Sequence, residues 1–211
     1  MARTKWEELY AKVHEDIVNL RIKPGEKISE AKLASRYGVS RAPVRNVILR
    51  LQEEGFVMIK PQAGTYVLPI SEQQARDILQ LRLLLEPFAA EMATMRIRED
   101  ELALLDREFD RLGGLPPGIP EKQVALSEVD GLLHEIIWNR CGNAEIAPLL
   151  KKYVPAMRRI QLATLGLRAS RMAPSEEEMR AILHALKKRD PDEAREVMRV
   201  HIRNIDRALN P

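Results

Sequence analysis

Apolar residues along this chain recur at spacings of three and four, interrupted once by a short stretch of strand-like runs. Leu9, Val13, Ile17 and Leu20 mark one face of a first helix, which Thr4 and Glu7 open as a capping box. Lys23-Pro24-Gly25 is a turn. Residues 29–51 then read as helix, tight turn and second helix. Ser29 is placed to cap the first of these, and Leu33 and Ala34 give it an apolar side. Gly38 ends it, because glycine adopts the left-handed C-terminal conformation at little cost. Ser40 is the next N-cap, and Pro43 falls in the first helical turn, where its missing N–H matters least. Val44, Val47, Ile48 and Leu51 form the apolar face of this second helix. After the terminator Gly55, Phe56–Ile59 and Thr65–Leu68 read as two short strands around a turn at residues 61–64, with Ile28 a short apolar link. Two strands directly after a helix–turn–helix describe a winged helix.

Pro69-Ile70-Ser71 reads as a domain boundary, giving an N-terminal domain over 1–69 and a second over 70–211. Ser71 and Gln74 form a further capping box, and Ile78, Leu81, Leu85, Phe88 and Met92 mark the core face of a long helix in which Pro87 is a potential kink. A helix follows from Glu99 to about Leu112, then the loop 113–120, then helices over about 121–140, 144–166, 175–189 and 192–209. Ser175 and Glu178 read as the cap of the penultimate helix. The expectation is a mainly α protein: an N-terminal winged helix-turn-helix with a short two-stranded wing, and a C-terminal all-helical antiparallel bundle.

Charge sharpens this division. Net charge is only +3, but residues 1–68 hold 12 Lys+Arg against 8 Asp+Glu, while the rest of the chain holds 22 against 23. Between Ala31 and Gln52 there are five basic residues (Lys32, Arg36, Arg41, Arg45, Arg50) and no acidic one. A basic helix–turn–helix suits a DNA major groove and a phosphate backbone. The single cysteine, Cys141, excludes an internal disulfide and reads as a buried thiol. No signal-peptide core follows Met1, and no apolar run approaches the roughly 18 residues of a membrane span. The chain reads as cytosolic, without a membrane role.

In the second domain, Asp130 and His134 stand four apart on one helix face, with His201 on the last helix able to join them only through the fold. Carboxylate and imidazole are ordinary ligands for zinc, nickel or manganese, and equally an ordinary hydrogen-bonded pair. Arg82 sits mid-helix among apolar neighbours, where its guanidinium suits either an effector carboxylate or an ion pair with Glu86 one turn on. Met92, Met95, Met157, Met172 and Met198 read as core packing. No nucleophile, paired general bases or phosphate loop accompanies the Asp/His set, which argues against an enzyme.

The sequence resembles the GntR family of bacterial transcription regulators, in the FadR-like subfamily whose C-terminal part is the FCD domain. The matching residues are Lys23-Pro24-Gly25-Glu26, Leu33-Ala34, Gly38-Val39-Ser40-Arg41, Pro43-Val44-Arg45, Leu51, Glu54-Gly55 and Gly64. In the second domain they are Leu81-Arg82, Leu85-Glu86, Ala89-Ala90, Asp130, His134, Gly142-Asn143, Ala185-Leu186, Asp190, Ala194 and His201. The resemblance implies a repressor or activator that binds double-stranded operator DNA as a homodimer and answers to a small organic acid. It implies DNA contacts from Ser40, Arg41, Ala42, Pro43 and Arg45, and from Gln62, Gly64 and Thr65 at the wing. Some relatives carry an arginine where Ala31 stands, so contacts from the first motif helix fall to Lys32 or Arg36. It implies an effector site of Arg82, Asp130, His134 and His201, and one divalent metal (Zn, Ni or Mn) on Asp130, His134 and His201. The fourth metal ligand of such relatives, a histidine after a glutamate, is Met179 after Glu178 here, and a thioether is a poor substitute. His184, five residues on, faces away from that position. A regulator that senses the metal itself, without an organic effector, is the alternative.

Overall fold

The structure, a computed structural model, describes residues 4–69, 71–167 and 172–209. The chain divides into two compact units, Met1–Ser71 and Glu72–Pro211. In the first, α1 (Lys5–Val18), α2 (Glu30–Tyr37) and α3 (Arg41–Glu53) enclose one core with strands β1 (Lys27–Ile28), β2 (Val57–Lys60) and β3 (Gly64–Val67). That core is built from Leu9, Val13, Ile17, Ile28, Leu33, Val44, Val47, Leu51, Val57 and Val67, the residues whose spacing marks the helical faces and strands. The helix ends follow the local chemistry. Thr4 N–H donates to Glu7 at 2.7 Å, Lys32 N–H donates to Ser29 Oγ at 3.1 Å, and Gly38 closes α2 at φ +67°.

The expected two-stranded wing is present as β2 and β3, and β1 joins it to make a sheet of three antiparallel strands in the order β1-β3-β2. Lys27 pairs with Tyr66 and Ile28 with Thr65, while Val57–Lys60 pairs along Val67–Gly64. Gly25 N–H donates to Val67 O at 2.8 Å and Val67 N–H to Glu26 O at 3.0 Å, which extends the pairing into the Pro-Gly turn. A two-residue strand carries no periodicity of its own, so nothing in residues 27–28 distinguishes it from a link.

The second unit is helical throughout its described residues: α4 (Glu72–Ala93), α5 (Glu99–Gly113), α6 (Pro120–Arg140), α7 (Ile146–Lys151), α8 (Val154–Leu167), α9 (Met172–Lys188) and α10 (Pro191–Leu209). α6 lies at its centre, packing on α4, α5, α8 and α9, and α10 packs on α4 and α9. Accordingly α6 buries residues around its whole circumference, from Ala125 and Leu126 to Ile137 and Trp138.

Three expectations change here. α4 runs unbroken through Pro87 but buries Ala75, Ile78, Leu79, Arg82, Glu86, Ala89, Ala90 and Ala93. Phe88, expected inside, is 40 % exposed, and Leu84 is 75 % exposed. Two charged residues displace leucines from the core face because they satisfy each other within it. The helix expected over 144–166 breaks at Lys152-Tyr153 into α7 and α8. Finally, α9 begins at Met172, so Ser175 lies buried inside it and the Glu178 carboxylate is turned to other partners.

In the first unit Asp16 ties α1 to α2. It accepts from Arg21 Nε at 2.5 Å and Tyr37 Oη at 2.6 Å, and pairs with Arg36 at 2.8 Å. Burial pushes its carboxyl up, but the Tyr37 and Arg21 hydrogen bonds outweigh burial and hold it below the usual range. A depressed carboxylate contributes stability above its unfolded pKa and loses it as pH falls through the folded one. Asp16→Ala should therefore unfold at lower temperature than wild type near neutral pH. The two melting curves should converge as pH drops below the ordinary aspartate value of about 3.9; a gap that persists in acid would place the effect in packing instead.

Candidate DNA surface and effector site

On the first unit, the start of α3 presents Ser40, Arg41, Ala42 and Arg45 to solvent, with Pro43 half-buried. The apolar face of the same helix, Val44, Val47, Ile48 and Leu51, is fixed in the core, so the N-terminal side chains are held at a set angle to it. The basic residues differ in their partners. Lys32 pairs with Glu26 at 2.7 Å, Arg36 with Asp16 at 2.8 Å and Arg45 with Glu30 at 2.8 Å. Arg41 makes no ion pair or side-chain hydrogen bond among the described residues, so its fork of donors is open. The Lys32–Glu26 and Arg45–Glu30 pairs are exposed and weak, and a phosphate or base can displace them, whereas Arg36 is held by the buried Asp16.

At the wing, Gln62 occupies the tip at φ +60°, and Gly64 opens β3 at φ +119°. A Cβ on Gly64 would stand 2.6 Å from Lys27 Cε, so glycine there leaves room for the Lys27 stem. Lys27 Nζ and Lys60 Nζ lie 5.9 Å and 5.4 Å from the Tyr66 ring centroid. The wing thus carries two cations on one aromatic platform beside Thr65. Sequence reasoning missed Lys27, because only the unforeseen β1 brings it there.

In the second unit, Asp130, His134 and His201 converge: one ligand atom from each lies within 4.8 Å of the others, and all three residues are buried. His201 Nε2 is 3.2 Å and His134 Nε2 is 3.7 Å from Asp130 Oδ1. Around this trio stand groups from α4, α9 and α10. Arg82 donates to Glu86 Oε1 at 2.5 Å and approaches His134 Nε2 at 3.3 Å. Glu86, wholly buried, also contacts His134 Nδ1. On the far side Glu178 meets His201 Nδ1 at 3.0 Å and accepts from Asn204 Nδ2 at 2.8 Å. The i+4 ion pair foreseen for Arg82 is therefore present, and the guanidinium still reaches the histidine.

The electrostatics follow from burial. Burial pushes Glu86 up, but Arg82 and His134 hold it down to about 2. Burial lowers His134, while Glu86 and Asp130 raise it to about 9. Burial raises Asp130, and His134 and His201 more than reverse it, leaving it far below the carboxylate range. The cluster demands positive charge at its centre.

A cavity of about 560 Å³ opens onto this cluster. Arg82, Asp130 and His134 line it, with Ser127, Gln161 and Trp138, and with Lys151 and Arg158 among the charged residues of its wall. His201 does not line it but stands behind Asp130 and His134, which do. Asp130 Oδ1 and His201 Nε2 are buried and make no well-formed hydrogen bond. Two orphaned ligand atoms facing each other, with a third ligand alongside, fit a divalent cation as a set of two imidazoles and one carboxylate. Met179 is fully buried and adds no hard ligand.

A winged helix–turn–helix followed by a helical unit whose cavity exposes buried charged residues defines a ligand-responsive DNA-binding protein by class. The FCD domain family matches residues 77–204, and the gntR family of bacterial regulatory proteins matches residues 5–67. The chain belongs to the GntR-type bacterial transcription regulators that carry an FCD domain, and it is not an enzyme. It is 27% identical over 208 residues to the HTH-type transcriptional repressor RspR of Escherichia coli K12, covering 96% of this chain and 88% of that one. It is 30% identical over 146 residues to the Nta operon transcriptional regulator of Aminobacter aminovorans, covering 69% and 67%. Among solved structures, E. coli McbR/YncC shares the fold with a TM-score of 0.76 at 20% identity, covering 99% of this chain and all of that one. A GntR regulator from Rhodococcus sp. RHA1 does so with a TM-score of 0.80 at 15% identity over 98% of each chain. No helix among the described residues is long and apolar enough to cross a membrane.

Removing one partner of a buried charge pair strands the other. Glu86→Ala, which leaves the Arg82 guanidinium buried without its carboxylate partner, should destabilise the helical unit by about 3–5 kcal/mol, read from urea unfolding followed by circular dichroism. A loss under about 1 kcal/mol would mean the pair is solvated in solution.

Proposed function

We propose that this regulator reads an operator with Ser40, Arg41, Ala42, Pro43 and Arg45 at the start of α3, assisted by Lys32 and Arg36. Gln62, Gly64 and Thr65 approach the adjacent backbone from the wing, with Lys27 and Lys60 beside them on Tyr66. Arg41 is the best placed for a base, because its donors are open and a bidentate contact to guanine discriminates by about 1–3 kcal/mol. The effector is a small organic acid held in the cavity of the helical unit. The observation that carries this reading is Arg82: a guanidinium that is only 5 % exposed and yet lines a cavity of about 560 Å³. Its Nε and Nη2 are engaged by Glu86 and His134, which leaves Nη1 as the donor that meets an anion away from bulk water. Asp130 and His134 share the wall and orient the rest of the ligand.

A divalent metal on Asp130, His134 and His201 belongs to the same reading, favoured by the orphaned Asp130 Oδ1 and His201 Nε2. When bound, the metal would act as a Lewis acid that anchors ligand oxygens.

The protein acts as a homodimer. A two-fold dimer matches the two half-sites of an operator. α4 supplies a surface for it: Leu84 and Phe88 are exposed, and half-buried Leu81 and Leu85 complete a row at helical spacing. An exposed apolar stripe of this kind is more at home under a second copy than in water.

Fluorescence anisotropy with DNA from upstream of the coding region tests the DNA surface. Arg41→Ala should weaken specific binding by about 5- to 150-fold, the equivalent of about 1–3 kcal/mol, and unchanged affinity would remove Arg41 from the interface. A thermal-shift screen of small carboxylic acids tests the cavity. A ligand at about 100 times its Kd stabilises by about 2.7 kcal/mol, and Arg82→Met should abolish the shift. Sedimentation tests the dimer: Leu84→Glu should yield monomers that bind a single half-site.

A further inference from the structure

We infer that Glu86 and Glu178 are positioning residues that aim the two imidazoles of the Asp130–His134–His201 set, making it a cation site of three inner ligands and two outer carboxylates. This rests on the metal reading above. Each histidine turns Nδ1 to a carboxylate and Nε2 inward: His134 Nδ1 contacts Glu86 Oε2, and His201 Nδ1 lies 3.0 Å from Glu178 Oε2. An ionised carboxylate only accepts, so the Nδ1 atom of a neutral ring must carry the proton and its Nε2 lone pair is left facing Asp130. Arg82 says the same of His134, since a guanidinium at 3.3 Å from Nε2 has nothing but donors.

Glu178 is held for the task from both oxygens. Its Oε1 accepts from Asn204 Nδ2 at 2.8 Å while Oε2 meets His201. The residue sits next to Met179, so this chain has a carboxylate behind a histidine where no fourth inner ligand is offered. Asp130, Glu86 and Glu178 surround the two histidines, with Arg82 beside Glu86. These groups belong to four helices, α4, α6, α9 and α10, which a bound cation would clamp together.

Titration of the full-length protein with Co(II), followed by its visible absorption, and competition with Zn(II) test the inference. Glu178 is the decisive variant because it lies at the edge of the core, whereas Glu86→Gln disturbs a buried ion pair. Glu178→Gln and Glu178→Ala should bind Co(II) about 10- to 100-fold more weakly than wild type, with Glu178→Asp partly restoring affinity. Nitrogen-15 NMR of the Zn(II) form should report His201 bound through Nε2 in wild type and mixed between its two nitrogens in Glu178→Ala. Equal affinities in wild type and Glu178→Ala, or His201 bound through Nδ1 in wild type, would overturn the role of Glu178. Absence of Co(II) binding by wild type would overturn the metal reading itself, and with it this inference.

Discussion

A guanidinium and a carboxylate in the core of the helical unit constrain almost everything around them. Arg82 and Glu86 are nearly or wholly excluded from water, and neither charge survives there without a close partner. Their pairing one turn apart solves part of the problem within α4 itself. The remaining capacity of both groups is spent on His134, which Glu86 contacts and Arg82 approaches. His134 in turn faces Asp130, Asp130 faces His201, and His201 meets Glu178. The network runs through the core as an unbroken chain of opposite charges and ends at the one member, Glu178, that lies near the surface. Such a network stabilises little compared with apolar packing. It fixes instead which face of each helix points inward, because any rotation leaves a charge stranded.

That constraint explains the reversal in α4. Leucines at helical spacing on one face and a charged pair on the other ordinarily read as core and surface. Here the ion pair takes the inside, flanked by Ala75, Ala89, Ala90 and Ala93, whose small side chains leave room for it and for close approach of α10. Leu84 and Phe88 are left outside. The same cause therefore accounts for two features that seem unrelated in sequence, a buried arginine and the exposure of Leu84 and Phe88.

How much the sequence revealed depended on the range of the interactions involved. The helix–turn–helix was legible because its determinants are local: Ser29 and Gly38 cap α2, and Val44 to Leu51 repeat within a single helix. β1 was not, because two residues show no pattern and their strand character comes from Thr65 and Tyr66, nearly forty residues away. In the helical unit Asp130 and His134 were found by their spacing on α6. Glu86 was read only as a partner of Arg82 and Glu178 only as a cap, since the packing of α4 on α6 and of α9 on α10 is what makes these two into partners of histidines. Glu178 also carried a competing local explanation, the capping box with Ser175, which dissolved once α9 began three residues earlier.

The cavity and the charge network meet on one side only. A ligand in the cavity touches Arg82, Asp130 and His134, whereas His201, Glu178 and Asn204 lie behind them. An anion arriving at Arg82 competes with Glu86 for the guanidinium, and whatever Arg82 yields, His134 and Asp130 must rebalance. The members are buried and lie within 4 Å of one another along the row, so a change at Arg82 bears on His134, Asp130 and His201 in turn. On the reading proposed above, an effector at Arg82 would act on four helices through these electrostatic partners. Since coupling between sites is reciprocal, whatever arrangement of those helices favours the operator also favours the ligand by the same factor.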